Sequence, residues 1–309
     1  MPEPFRCGYR FARGWLAWLE TGPLRAVLAR DLAGEPEARL LRHLTIGDLY
    51  SFVYGPTPEG DEGEGEDLLK VLAESPYLGN VRILDLGTGS AYEDELGALQ
   101  YNTWADLPSF GVYTWRLVER MQRLEELRVW GWLHSLEWLF RLKTLTNLRT
   151  LEVRLADEYP LEVLARNPAL KNLTRLFLQP RAHAEGDDPI TVFLPLSGFK
   201  AVLRSPNLPA LTHLHVRQTD VGDKGCRAVS SGILKRLKVL DLARGCITDA
   251  GACTLAACPD LKNLERLDVS CNALTQEGIE RLRGTGIQVR AGDQHAEGDT
   301  HYLFEGEME

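Results

Sequence analysis

The segment ILDLGTGSA, residues 83–91, offers the clearest invitation to chemistry in this chain. An apolar run and Asp85 are followed by Gly87 and Gly89. A glycine-rich turn after a strand lets a ligand approach the backbone closely. His213 and His215 stand two apart, so on a strand they share one face, and with a third ligand they would suit zinc. Cys253 and Cys258 form a second pair with ligand-like spacing, and Cys246 and Cys271 are candidate nucleophiles. No third ligand lies near either pair. No serine, histidine and acid fall into one coherent frame. The stretch GPTPEGDEGEGED, residues 55–67, carries six acids, but not at the spacing of a calcium-binding loop. Its prolines and glycines mark a solvated acidic loop.

What these residues can do depends on the elements that hold them. Between Leu208 and Leu274 one frame occurs three times: apolar residues separated by two, two and one others. The positions are Leu208, Leu211, Leu214 and Val216, then Leu234, Leu237, Leu240 and Leu242, then Leu261, Leu264, Leu267 and Val269. Each frame leads to a small apolar residue and a glycine: Val221 and Gly225, Ile247 and Gly251, Leu274 and Gly278. Earlier copies give a register of markers at Leu44, Leu84, Leu127, Leu151, Leu176, Leu214, Leu240 and Leu267. The short steps between markers are about 24–27 residues, the length of a leucine-rich repeat. The long steps coincide with insertions near 55–67, 91–117 and 180–198. Residues 5–40 precede the repeats. The spacing of Phe11, Trp15, Trp18 and Leu19, and of Leu24, Val27, Leu28 and Leu32, predicts two helices, hence an N-terminal helical cap over 1–40. The solenoid is expected over 41–290, with GTGIQVR as a last edge strand, and a polar, mobile tail over 291–309.

Composition narrows the function classes. The 309-residue chain has a formal net charge of -9, which disfavours general nucleic-acid binding, where neutralised phosphates supply most of the affinity. No run of 18 apolar residues suggests a membrane span, and no apolar leader opens the sequence. The six cysteines are therefore expected to be reduced, in a cytoplasmic protein with neither nucleic acid nor membrane among its partners.

The segments LKVLDLARGCITDAGACTLA and LERLDVSCNALTQEGIERL resemble the ribonuclease-inhibitor-like class of leucine-rich repeat proteins, over about residues 40–290. The layout is also similar to bacterial repeat proteins with a short N-terminal companion segment. The resemblance implies an α/β solenoid, or horseshoe, with a parallel sheet on the concave face and helices on the convex face. One position, usually asparagine or cysteine in that family, is Asn272 in one repeat. It is Gly245, Thr219, Arg181, Ala156 and Trp132 in others, so the polar ladder is patchy. The turn at residues 83–91 resembles the first motif of S-adenosylmethionine-dependent methyltransferases, which would make Gly87 and Gly89 cofactor contacts. Ala91 departs from that motif, no acid-ended apolar strand follows about 20 residues later, and Leu84 and Leu86 fit the repeat register. The repeat reading is preferred. No cofactor, metal or catalytic residue is expected.

Strand alternation then selects the candidate site. The frame leucines point inward, so the residues between them face out from the sheet. The middle repeats place Arg128, Trp130, Arg154, Arg175, Phe177, His213, His215 and Arg217 there, flanked by Asp85, Asp241 and Asp268. Aromatic and arginine residues are common anchors of protein interfaces. The expectation is a monomeric, non-enzymatic protein that binds a protein partner on its concave face, with the aromatic insertion 91–117 as a second candidate surface.

Overall fold

The computed structural model describes residues 8–24, 26–48, 65–87, 91–93, 99–101, 109–156, 158–183, 191–192, 194–299 and 303. Two compact units divide the chain, Met1–Thr150 and Leu151–Glu309.

In the first unit the strands Trp15–Pro23, His43–Asp48, Ile83–Leu86 and Glu126–Leu133 run parallel as successive neighbours. Leu19, Leu44, Leu84 and Leu127 are register partners along this row and are buried. Stacked leucines of this kind supply most of the folding energy, at about 25 cal/mol per Å² of apolar area removed from water. Helices Ala26–Gly34, Gly65–Glu74, Val112–Arg120 and Leu136–Arg141 alternate with the strands. Val112–Arg120 begins inside the stretch that the sequence reads as an insertion. Its Trp115 is fully buried and donates from Nε1 to the His134 carbonyl at 2.8 Å. A conventional repeat helix therefore ends that segment, which the low leucine content disguises.

The N-terminal segment is a correction. Residues 11–19 do not form a helix. Gly8–Ala12 and Trp15–Pro23 make an antiparallel hairpin. Arg13 and Gly14 join them, both with positive φ (53° and 82°), as a two-residue hairpin turn requires. The aromatic spacing fits a helical face, but tight-turn chemistry and β-favouring aromatics decide the local structure. Leu19 and Thr21 alternate inward, and the second strand extends the sheet beyond His43–Asp48. The second predicted helix is present as Ala26–Gly34.

The second unit repeats the pattern with greater regularity. Strands Thr150–Ala156, Arg175–Pro180, His213–Val216, Val239–Asp241, Arg266–Asp268 and Gln288–Arg290 follow in sheet order. Leu176, Leu214, Leu240, Leu267 and Val289 are partners in turn, so the edge strand read from GTGIQVR is real. Helices Leu161–Ala165, Leu196–Arg204, Gly222–Val229, Asp249–Ala256 and Gln276–Arg283 intervene. Prolines open the 3-10 turns Pro168–Asn172 and Pro259–Asn263 that lead into strands, where their missing N–H costs nothing.

The glycines of the frame have a packing reason. A Cβ on Gly278 would sit 2.0 Å from Asp249 Oδ1, and one on Gly251 would sit 2.4 Å from Asp223 Oδ1. Those carboxylates are occupied: Asp223 accepts from the Thr248 N–H and hydroxyl, and Asp249 from the same groups of Thr275. Each aspartate thus ties its helix to the next repeat, and the glycine leaves it room.

The tail differs from expectation where it is described. Gln294 Nε2 donates to the Val269 carbonyl and its Oε1 accepts from the Leu274 N–H; His295 N–H donates to the Asn272 carbonyl. Residues 292–295 thus close the last repeat. Cys226, Cys246, Cys253, Cys258 and Cys271 are free thiols. Burial first, and then the nearby Asp223, push the Cys226 thiol up to about 12, which makes it a packing residue. Among the described residues no helix is long and apolar enough to cross a membrane. Residues 55–64 of the acidic loop lie outside the described residues.

Candidate functional site

The eight predicted surface residues fall in both units. Six belong to the second unit, and there a continuous chain of contacts crosses four neighbouring strands. Arg154 donates from Nε to Glu152 at 2.6 Å, and its guanidinium lies over the Phe177 ring, 4.6 Å from the centroid. Phe177 stacks on the His215 imidazole at 5.4 Å with 23° between planes. His215 Nδ1 is 3.1 Å from Asp241 Oδ2, and Arg217 Nε is 3.8 Å from the same oxygen. Strand alternation explains the assembly. Phe177, His215 and Asp241 are register partners on adjacent parallel strands, so their side chains stand side by side. Cation–π, ring stacking and hydrogen bonding each add about 0.5–1.5 kcal/mol and together hold the rings in place.

Asp241 is the electrostatic hub. Burial pushes its carboxyl up, but the His215 hydrogen bond, the Ala243 N–H and the Arg217 charge outweigh burial and hold it below the ordinary carboxylate range. It is therefore an anion, and His215 donates to it. His213 is the register partner of Arg175, and its Nδ1 lies 2.9 Å from the Thr212 hydroxyl. Burial, then the Arg175 charge, lower its pKa, so it is a neutral imidazole at pH 7. The two histidines that could have formed a metal pair thus have separate occupations.

Gln179 stands two residues after Phe177, where strict alternation would turn it outward, yet it is buried and donates to the Gln218 amide oxygen at 3.1 Å. Alternation stops at that end of the strand, where Leu178, Gln179 and Pro180 are buried in succession. Tyr159 is buried beside it, its hydroxyl 2.9 Å from the Val153 carbonyl and 3.0 Å from the Gln179 carbonyl, with one hydrogen to share between them.

Arg128 and Trp130 lie in the first unit, where a second set of contacts forms around Asp85. His43 Nε2 is 2.6 Å from Asp85 Oδ2, and Arg128 Nη1 is 2.8 Å from Asp85 Oδ1. Arg128 also pairs with Glu126. Trp18 lies against His43 with ring centroids 6.0 Å apart, and Arg10 lies over Trp18 at 5.0 Å. Burial raises the Asp85 pKa, but His43 and Arg128 reverse it, and the net shift is downward. The sequence reading missed Trp18 and His43. The signal was available for His43, which alternates with Leu44 of the first repeat. Trp18 was hidden by its assignment to a helix.

The His43 set does not assemble a relay. His43 meets both Asp85 and the Thr45 hydroxyl, at 3.2 Å, through the same nitrogen, so the ring cannot pass a proton between them. The glycine turn is likewise not a ligand cradle. Gly87 has φ of 76°, donates to the Ile46 carbonyl at 2.8 Å, and presses on the neighbouring strand. A Cβ there would lie 1.7 Å from the Trp130 carbonyl oxygen. The close approach that makes glycine necessary is to protein backbone. Gly89 lies outside the described residues, and the chain resumes as the strand Ala91–Glu93, which pairs with Leu99–Tyr101.

Comparison with known proteins gives three findings. The family profile described as "Leucine Rich repeat" matches residues 207–230, 236–256 and 260–282. Among solved structures, a protein from Bacteroides fragilis is similar at 18% identity and a TM-score of 0.60, over 88% of this chain and 71% of that one. An internalin from Listeria monocytogenes is similar at 15% identity and a TM-score of 0.41, over 95% of this chain and 85% of that one. A search of curated proteins finds no match. At 18% identity the similarity to the Bacteroides fragilis protein speaks for fold alone.

Proposed function

This chain is a leucine-rich repeat protein, and from that premise we propose that it binds a protein partner through the outward face of its sheet, without catalysis. Membership of the repeat family suggests a protein-interaction module; the face and the residues are our own reading. We place the anchor at Arg154, Phe177 and His215 of the second unit, with Arg175, His213 and Arg217 around it. On the first unit we assign Arg128 and Trp130 to the binding surface. The observation that carries the reading is the stack of Arg154, Phe177 and His215 across three strands, half-buried and fixed by Glu152 and Asp241. Fixing rings before binding lowers the ordering cost of association. The reading keeps the ribonuclease-inhibitor-like class, supported by a helix between successive strands, and a cytoplasmic setting, with which the five free thiols agree; a monomer is part of the same proposal.

The test is affinity capture from lysate of the native cell with wild-type protein and with Phe177→Ala combined with Arg154→Ala. Truncating a central aromatic anchor and its arginine costs about 2–4 kcal/mol of binding. The partner held by the wild type should drop at least thirtyfold in the variant, with the circular dichroism spectrum unchanged. Equal capture by both proteins would refute the assignment of the face.

A further inference from the structure

Three arginines of the sheet face are already paired: Arg128 with Asp85 and Glu126, Arg154 with Glu152, Arg217 with Asp241. The helix side of the first unit is different. Two adjoining cavities of about 360 and 540 Å³ meet at Glu119 and run across helices Gly65–Glu74, Val112–Arg120 and Leu136–Arg141. Tyr113 lines one and Trp138 the other. Arg116 lies between them, 5.5 Å from the Tyr113 ring centroid and 5.9 Å from that of Trp138. Lys70 approaches the same Tyr113 ring at 5.8 Å. Two like charges thus gather on one ring. Among the described residues, neither has an acid partner, and the same holds for Arg120 and Lys143 along the groove; Arg141 alone is paired, with Glu137.

We propose that this groove takes an acidic peptide segment of a protein partner, a surface separate from the sheet face. Carboxylates would satisfy Lys70, Arg116 and Lys143, and an apolar side chain between them would lie on Tyr113 or Trp138. The glutamates Glu74 and Glu119 on the rim, and the net charge of -9, favour spaced carboxylates over the dense phosphates of nucleic acid.

The probe is a fluorescein-labelled peptide of glutamates around a central leucine, followed by anisotropy, with a lysine-for-glutamate peptide and labelled oligouridylate as comparisons. The wild type should bind the acidic peptide, more weakly as salt rises, and should ignore the lysine peptide. Arg116→Glu and Lys143→Glu should each weaken binding at least tenfold. Both side chains are exposed, and an unchanged tryptophan emission spectrum will confirm the fold. Phe177→Ala should leave binding unchanged, so failure here is distinct from failure of the sheet-face reading. The proposal is overturned if the wild type does not bind the acidic peptide, if neither charge reversal weakens it, or if oligouridylate binds more tightly at the same residues.

Discussion

Replacing Gly87 with alanine is expected to destabilise the first unit by more than about 3 kcal/mol. Two effects add. The residue sits at φ of 76°, where a side chain costs about 1–2 kcal/mol. The new Cβ would also lie 1.7 Å from the Trp130 carbonyl oxygen, 2.9 Å from its carbon and 3.2 Å from the Phe110 ring. The first two atoms are backbone of the strand Glu126–Leu133, which cannot yield without breaking its pairing with Ile83–Leu86. All seven tryptophans precede residue 151, so tryptophan fluorescence reports this unit. The urea midpoint followed by fluorescence should fall sharply. A midpoint within about 0.5 kcal/mol of wild type would mean that the turn is not built around this contact.

Asn272→Ala should remove about 3 kcal/mol from the second unit. The side chain is fully buried and works as a connector between repeats. Its Oδ1 accepts from the N–H groups of Gly245 and Ile247, both at 2.9 Å. Its Nδ2 faces the carbonyls of Leu242, Val269 and Ser270 at 3.0 to 3.1 Å. Alanine leaves the two buried N–H donors and the Leu242 carbonyl without that partner, while the Val269 carbonyl keeps Gln294 Nε2 and the Ser270 carbonyl keeps the Arg244 N–H; each orphaned group costs about 1 kcal/mol or more. The amides of Gly245 and Ile247 should lose hydrogen-exchange protection before the rest of the unit. Protection at wild-type level would show that water or a shifted backbone replaces the side chain.

These two sites illustrate what a sequence can reveal. Leu214, Leu240 and Leu267 are legible because a buried parallel strand demands apolar residues at fixed spacing, and one register fits them all. Asn272 is legible as a ladder residue through the repeat pattern. Gly87 was visible as an unusual residue but ambiguous in meaning, since a glycine looks the same whether a ligand or a strand approaches it. The N-terminal hairpin was misread because the spacing of Trp15, Trp18 and Leu19 suits a helical face, while the Arg13–Gly14 turn sets the register. Phe177, His215 and Arg154 were correctly placed on one face by alternation. Their mutual stacking, and the role of Asp241, depend on which strands are neighbours and which residues pair across them. His43 and Asp85 are 42 residues apart in sequence, and only the register brings them to 2.6 Å.

The central claim is that the sheet face of the second unit meets a partner, and site-specific photo-crosslinking in the native cell tests it most directly. A benzophenone side chain replaces Phe177 in one protein and the exposed Arg281, on helix Gln276–Arg283, in another. An adduct from position 177, with none from position 281, is the predicted result. Adducts from position 281 alone would contradict the account and move recognition to the helix side.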